Sequence, residues 1–158
     1  MWVGDYLSAE CGVTIHTKPY TTFFDGKKFH LAHGEGLGTT DKGYEILLAI
    51  FRNRPLRAMY SALHPSIGVG IGQRWSLNSR LGKGITREFL GEENEDLIRY
   101  AKSVLANGKI DYFIFGHRHL AMTYKLKEET EIVFLGDWIK NGSYAVWDGS
   151  TLIFKSLS

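Results

Sequence analysis

Apolar and polar positions alternate over short stretches near both ends of the chain and fall into helical spacing through its middle. Trp2, Tyr6 and Leu7 stand at helical spacing across Trp2–Cys11, and Gly12 is a natural stop. Short β-like pieces come next at Val13–Ile15, Thr21–Phe24 and Lys28–His33, the last two joined by Asp25-Gly26, a pair suited to a tight hairpin turn. From Asp41 to about Gly108 the spacing is helical. Tyr44, Leu47, Leu48 and Phe51 share one face, as do Leu56, Met59, Tyr60 and Leu63, and later Leu97, Ile98, Ala101, Val104 and Leu105 before Asn107-Gly108. Strands return at Tyr112–Phe115, Ala121–Leu126, Glu131–Leu135, Ser143–Trp147 and Thr151–Lys155, with Asp148-Gly149 as a further hairpin turn. This order predicts an α+β (layered α/β) fold rather than a doubly wound parallel one, in a single domain over residues 1–158 with a helical insertion over 41–108.

Composition narrows the function classes. The 158 residues are 44% hydrophobic and 23% charged, as in a globular domain, with a formal charge of +2. That mild basicity suits an anionic small molecule or an anionic membrane surface. No basic run of five or more residues occurs, so nucleic acid is not an expected partner. With Cys11 as the single cysteine no intrachain disulfide can form, and an intracellular, cytoplasmic location is expected. Asp5 interrupts the first apolar stretch, which has no basic leader, so no signal sequence is expected. Apolar runs stay far below the roughly 20 residues of a membrane-spanning helix. Between Ile46 and Trp75, large apolar residues mix with Arg52, Arg54, Arg57 and Arg74. The pattern fits either an amphipathic helix pair with a solvated basic face or helices lying on an anionic leaflet.

The candidate chemistry is histidine chemistry at strand ends. Gly116-His117-Arg118-His119 comes directly after the apolar strand Tyr112–Phe115, and the glycine would let the backbone bend so that both imidazoles reach one metal cluster. The plain alternative is two surface histidines in a turn. His33-Gly34-Glu35 ends another apolar strand and runs into a loop with glycines at 34, 36 and 38, which suits backbone that comes close to something bound. His30 belongs to an alternating strand, and neither His16 nor His64 has a comparable setting. Three histidines could hold a zinc ion alone, but no carboxylate is obviously placed as a partner, Glu35 being the nearest.

Taken together, His33-Gly34-Glu35, Thr40-Asp41-Lys42-Gly43-Tyr44, Leu77-Asn78-Ser79-Arg80, Phe115-Gly116-His117-Arg118-His119, Leu135-Gly136-Asp137-Trp138 and Gly142-Ser143-Tyr144 resemble one family along nearly the whole chain. It is the UDP-2,3-diacylglucosamine diphosphatases of lipid A synthesis, within the calcineurin-like metallophosphoesterases. The resemblance implies a metallophosphoesterase β-sandwich and hydrolysis of a phosphoanhydride in a nucleotide-sugar lipid. Two metal ions, manganese in many members, would do this, bridged by an aspartate. It also implies that His33 and His117 share one metal and that His119 binds the other. Asp41, Asn78 and Ser79, with His117, would contact substrate, and residues 44–84 would cover the site and accept acyl chains. Glu35 departs from the family's usual aspartate, and Leu81-Gly82-Lys83-Gly84-Ile85-Thr86 does not reproduce its polar substrate-binding run.

The family's earlier motifs, Asp-x-His, Gly-Asp and Gly-Asn-His-Asp, do not occur: the Gly-Asp pairs present are Gly4-Asp5 and Gly136-Asp137. Met1-Trp2 resembles the residues directly after the last of those motifs. The expectation is therefore a C-terminal portion whose catalytic groups and bridging carboxylate lie elsewhere, inactive alone, and associating with itself or with the other half. The competing expectation is a non-catalytic, degenerate metallophosphoesterase-like module that binds a partner or lipid headgroup.

Overall fold

A computed structural model describes residues 6–39, 42–83 and 88–157. It divides into two compact units, residues 1–39 with 87–158, and residues 40–86. Its helices and mixed sheet make an α+β fold.

The larger unit is built on a mixed sheet. Its strands are β1 (Tyr20–Phe24), β2 (Lys27–Ala32), β3 (Tyr112–Phe115), β4 (Ala121–Lys127) and β5 (Thr130–Leu135), in the order β1-β2-β3-β5-β4. The Asp25-Gly26 turn forms as its residue types predict, with φ of 47° and 78°, both positive as the mirror-image hairpin turn requires. β2, β3 and β5 run parallel, while β1 and β4 lie antiparallel on the two edges. Parallel central strands are covered on both faces, and they read as near-continuous apolar runs such as Tyr112-Phe113-Ile114-Phe115.

Among the described residues this unit also holds two helices, α1 (Tyr6–Cys11) and α5 (Asp96–Leu105), while α2 (Lys42–Arg52), α3 (Arg54–Ser61) and α4 (Pro65–Lys83) lie in the other unit. The face of the sheet carrying Phe113, Phe115, Ile132 and Phe134 packs on α5 through Leu97, Ile98 and Ala101, all nearly inaccessible. The opposite face carries Phe29 and Tyr112, against which Trp147 packs with ring centroids 5.1 and 5.6 Å away. Trp147 comes from a second, two-stranded sheet of β6 (Ser143–Trp147) and β7 (Leu152–Ser156). Its indole N–H donates to Asp25 Oδ2 (2.7 Å), tying this hairpin to the β1–β2 turn.

Two expectations change. Val13–Ile15 forms no strand; the Val13 amide instead donates to Leu7 O in α1, and Val13 is largely exposed. The helical stretch expected over 41–108 also divides, because α5 belongs to the core of the sheet unit. The second unit holds α2 (Lys42–Arg52), α3 (Arg54–Ser61) and α4 (Pro65–Lys83). Asn53 separates α2 from α3 by capping the latter, its Oδ1 accepting from Leu56 N (3.1 Å) with Pro55 in the first turn. The stripe Leu56, Met59, Tyr60 and Leu63 is exposed, although Tyr60 donates its hydroxyl proton to Gly68 O.

His30 is a core histidine. It is 6% exposed, its Nδ1 pairs with Thr21 Oγ1 (2.8 Å) and its Nε2 with Tyr100 OH (3.0 Å). Burial pushes its pKa below 6.5, so the unfolded chain takes up a proton here more readily than the folded one. Its contribution to stability is therefore complete above pH 6.5 and is lost as pH falls below that value, by at most about 1.4 kcal/mol per pH unit. Urea unfolding between pH 7.5 and 5.5 should show a steeper loss for the wild type than for His30→Gln. Parallel pH dependences would refute it.

Candidate functional site

The parallel register is what brings the two histidine motifs together. Ala32 pairs with Phe115, so His33 and Gly116 are the next residues out on neighbouring strands, and the Gly116 amide donates to His33 O (3.1 Å). β5 leaves the sheet in the same direction, Phe115 pairing with Phe134, and its exit leads to Gly136-Asp137. Three adjacent strands thus deliver His33, His117-Arg118-His119 and Asp137 to one edge, the end of a sheet where binding groups collect.

The backbone bends at an unexpected place. Gly116 has an ordinary φ, whereas His117 and His119 have φ of 61° and 52°. The Arg118 amide donates to Gly116 O (2.6 Å), closing a three-residue turn around His117. Left-handed backbone at a non-glycine residue costs of order 1–3 kcal/mol and persists only where its surroundings hold it. A Cβ at Gly116 would meet His33 Nδ1 at 3.4 Å, an ordinary contact, so the bend does not depend on glycine at this position.

His33 and His117 stand side by side, ring centroids 5.3 Å apart and planes at 71°. Both keep solvent-accessible surface. The protein crowded around His117 lowers its pKa, with His33, His119 and Arg118 adding to the shift and Glu35 opposing it. A neutral imidazole is the form that donates a lone pair to a metal. His119 is directed to another partner: its Nδ1 lies 3.2 Å from Asp137 Oδ2. Asp137 Oδ1 accepts the amides of Ile139 and Lys140 (3.0 and 2.6 Å), and its own amide donates to Asn141 Oδ1 (3.2 Å). The Lys140 amide first, then His119 and the Ile139 amide, hold the Asp137 carboxyl below its usual pKa. A carboxylate fixed this way sets the tautomer of the histidine it faces and leaves Nε2 free.

Among the described residues, no group of three or more His, Cys, Asp or Glu converges as a complete metal cage. His33 and His117 form a pair, and His119 with Asp137 a second one. Asp41 lies outside the described residues, and Asn78 and Ser79 fall on α4 in the helical unit. The glycine loop after His33 approaches protein: a Cβ on Gly38 would fall 2.0 Å from the Asp96 carbonyl oxygen at the start of α5, and Gly38 has φ +70°, so only glycine fits.

Two residues escape the sequence reading. Asp137 shares the strand-exit signal of the histidines, but its Gly-Asp pair is out of place for the resembled motif. Glu95 is 1% exposed and binds Arg118, Nε to Oε1 at 2.6 Å and one terminal nitrogen to Oε2 at 3.2 Å. Nothing in the sequence links positions 23 residues apart.

No family model matches the chain. Curated relatives do. A UDP-2,3-diacylglucosamine hydrolase of Porphyromonas gingivalis W83 is 40% identical over 171 residues, covering 99% of this chain and 65% of the relative. Proteins of the same name from Shewanella pealeana and Escherichia coli O81 are 25% and 23% identical, each over 89% of this chain and 58% and 59% of their own length. The chain spans about three fifths of the relatives it matches. Along nearly its whole length the chain is thus a homologue of part of proteins named UDP-2,3-diacylglucosamine hydrolase.

Proposed function

We propose that this chain carries part of the metal site of a phosphoanhydride hydrolase whose substrate, in the whole protein, is UDP-2,3-diacylglucosamine. The substrate class rests on the names of the relatives. The observation that carries the metal reading is the His33–His117 pair, two imidazoles set side by side by strand register, with the pKa of His117 lowered by the protein around it. His33 and His117 would hold one divalent ion and His119 would reach another, with remaining donors in the part of the relatives that this chain does not match. Two metals of the manganese type would supply positive charge to the oxygens of a transferring phosphate. The chain's own groups aim the ligands: β2 and β3 set the separation of the two rings, and Asp137 sets the tautomer of His119.

Imidazole alone favours zinc, copper or iron, while carboxylates favour manganese. The proposed manganese therefore needs carboxylates beyond the pair seen here, such as the bridging aspartate that the family resemblance implies. A peripheral membrane location is part of the same proposal. The helical unit exposes Ile46, Ile50, Met59 and Ile67 alongside Arg52, Arg54 and Arg74, a mixture suited to an anionic lipid surface, and among the described residues no helix is long and apolar enough to cross a membrane.

The test is turnover of UDP-2,3-diacylglucosamine by a full-length protein carrying this chain, with and without His117→Ala. Losing a ligand should cost more than the roughly 10–100-fold typical of removing a ligand's supporting partner. Undiminished turnover in the variant would remove His117 from the metal site. Absence of turnover in the full-length protein itself would instead favour a non-catalytic binding module.

A further inference from the structure

We infer that Glu95 is a positioning residue for the histidine turn, acting through Arg118 to hold His117 and His119 in their left-handed conformations. Arg118 is the residue between those two histidines, and its side chain is the turn's anchor. Its guanidinium grips both oxygens of Glu95 (2.6 and 3.2 Å) and also donates to Glu88 O (3.3 Å). A two-point charge-assisted contact of this kind fixes orientation as well as distance.

Glu95 is itself rigidly placed. Its amide donates to Gly91 O (3.1 Å), and its carbonyl accepts from Ile98 N and Arg99 N (3.0 and 3.1 Å) at the start of α5. An N-cap side chain ordinarily accepts a free amide of the first helical turn. The Glu95 carboxylate makes no such bond and engages Arg118 instead. The same helical turn meets the other histidine loop: Leu97 packs where a Cβ on Gly34 would be 3.1 Å away, next to His33, and the Asp96 carbonyl closes on Gly38. The first turn of α5 therefore braces both strand exits from one side, and Glu95 is its polar contact with the turn that carries two of the three histidines.

The effect on metal rests on the reading proposed above; the effect on the turn does not. The experiment follows histidine ring signals of the full chain by NMR, free and during titration with Mn²⁺, whose paramagnetism broadens nearby nuclei. In Glu95→Gln the metal-free signals of His117 and His119 should shift while those of His30 stay in place, and the Mn²⁺ concentration that broadens His33 and His117 should rise about tenfold or more. A folded Glu95→Gln with unchanged His117 and His119 signals and unchanged Mn²⁺ response overturns the proposal. Should that variant lose its dispersed spectrum, Arg118→Lys, which keeps the charge but not the two-point grip, is judged by the same signals. If Mn²⁺ broadens no histidine even in the wild type, the pair does not hold the ion without the further carboxylates, and the metal-free shifts alone decide the role of Glu95.

Discussion

Replacing Arg118 by alanine is expected to lower the unfolding free energy by about 3–5 kcal/mol, the usual cost of removing one partner from a buried ion pair. The expectation comes from where the charges lie. The Glu95 side chain is 1% exposed and that of Arg118 17%, so water cannot take over the carboxylate when the guanidinium leaves. Loss of the arginine's apolar stem and of its bond to Glu88 O acts in the same direction. Urea unfolding at neutral pH measures it. The surface pair Lys109–Glu129 serves as the contrast, because Lys109→Ala should leave the midpoint unmoved: both side chains are largely exposed and water screens them. An Arg118→Ala midpoint as little changed as that of Lys109→Ala would show that the buried pair is solvated in solution.

The strands were legible because they are short apolar runs bounded by turn pairs, but the parallel pairing of β2, β3 and β5 was not, since direction depends on what the chain does between them. Val13–Ile15 has the same local look, but a strand exists only with a neighbour to pair with, and pairing is not written in three residues. The helical stretch was legible as helix but not as two units, since α5 and α2 carry similar apolar spacing. What separates them is the partner: Leu97, Ile98 and Ala101 meet the phenylalanine face of the sheet. At the site, strand-exit position was enough to single out His33 and His117, and the register between β2 and β3 is what makes them neighbours. The bend at His117 rather than Gly116 was not legible, because it depends on what holds the turn. That hold comes from Glu95, 23 residues away in sequence.

Phe113→Ala should be the second severe change, destabilising the protein by about 3–5 kcal/mol. Phe113 is wholly buried on β3, the middle strand of the five-stranded sheet, where parallel pairing on both sides prevents the backbone from closing over a lost ring. Its ring lies 5.8 Å from that of Phe115 and 5.4 Å from that of His30, so truncation leaves a cavity beneath α5 and strips contacts from two other rings at once. Phe113→Leu, which keeps most of the volume, should cost distinctly less, and the difference between the two isolates the cavity from the chemistry. Unfolding in urea, with the slope checked for constancy, reads both. Equal losses for alanine and leucine would mean that the sheet relaxes into the space. In that case β3 would not be the rigid member that sets His117 beside His33, and the separation of those two rings would have to be fixed from α5 instead.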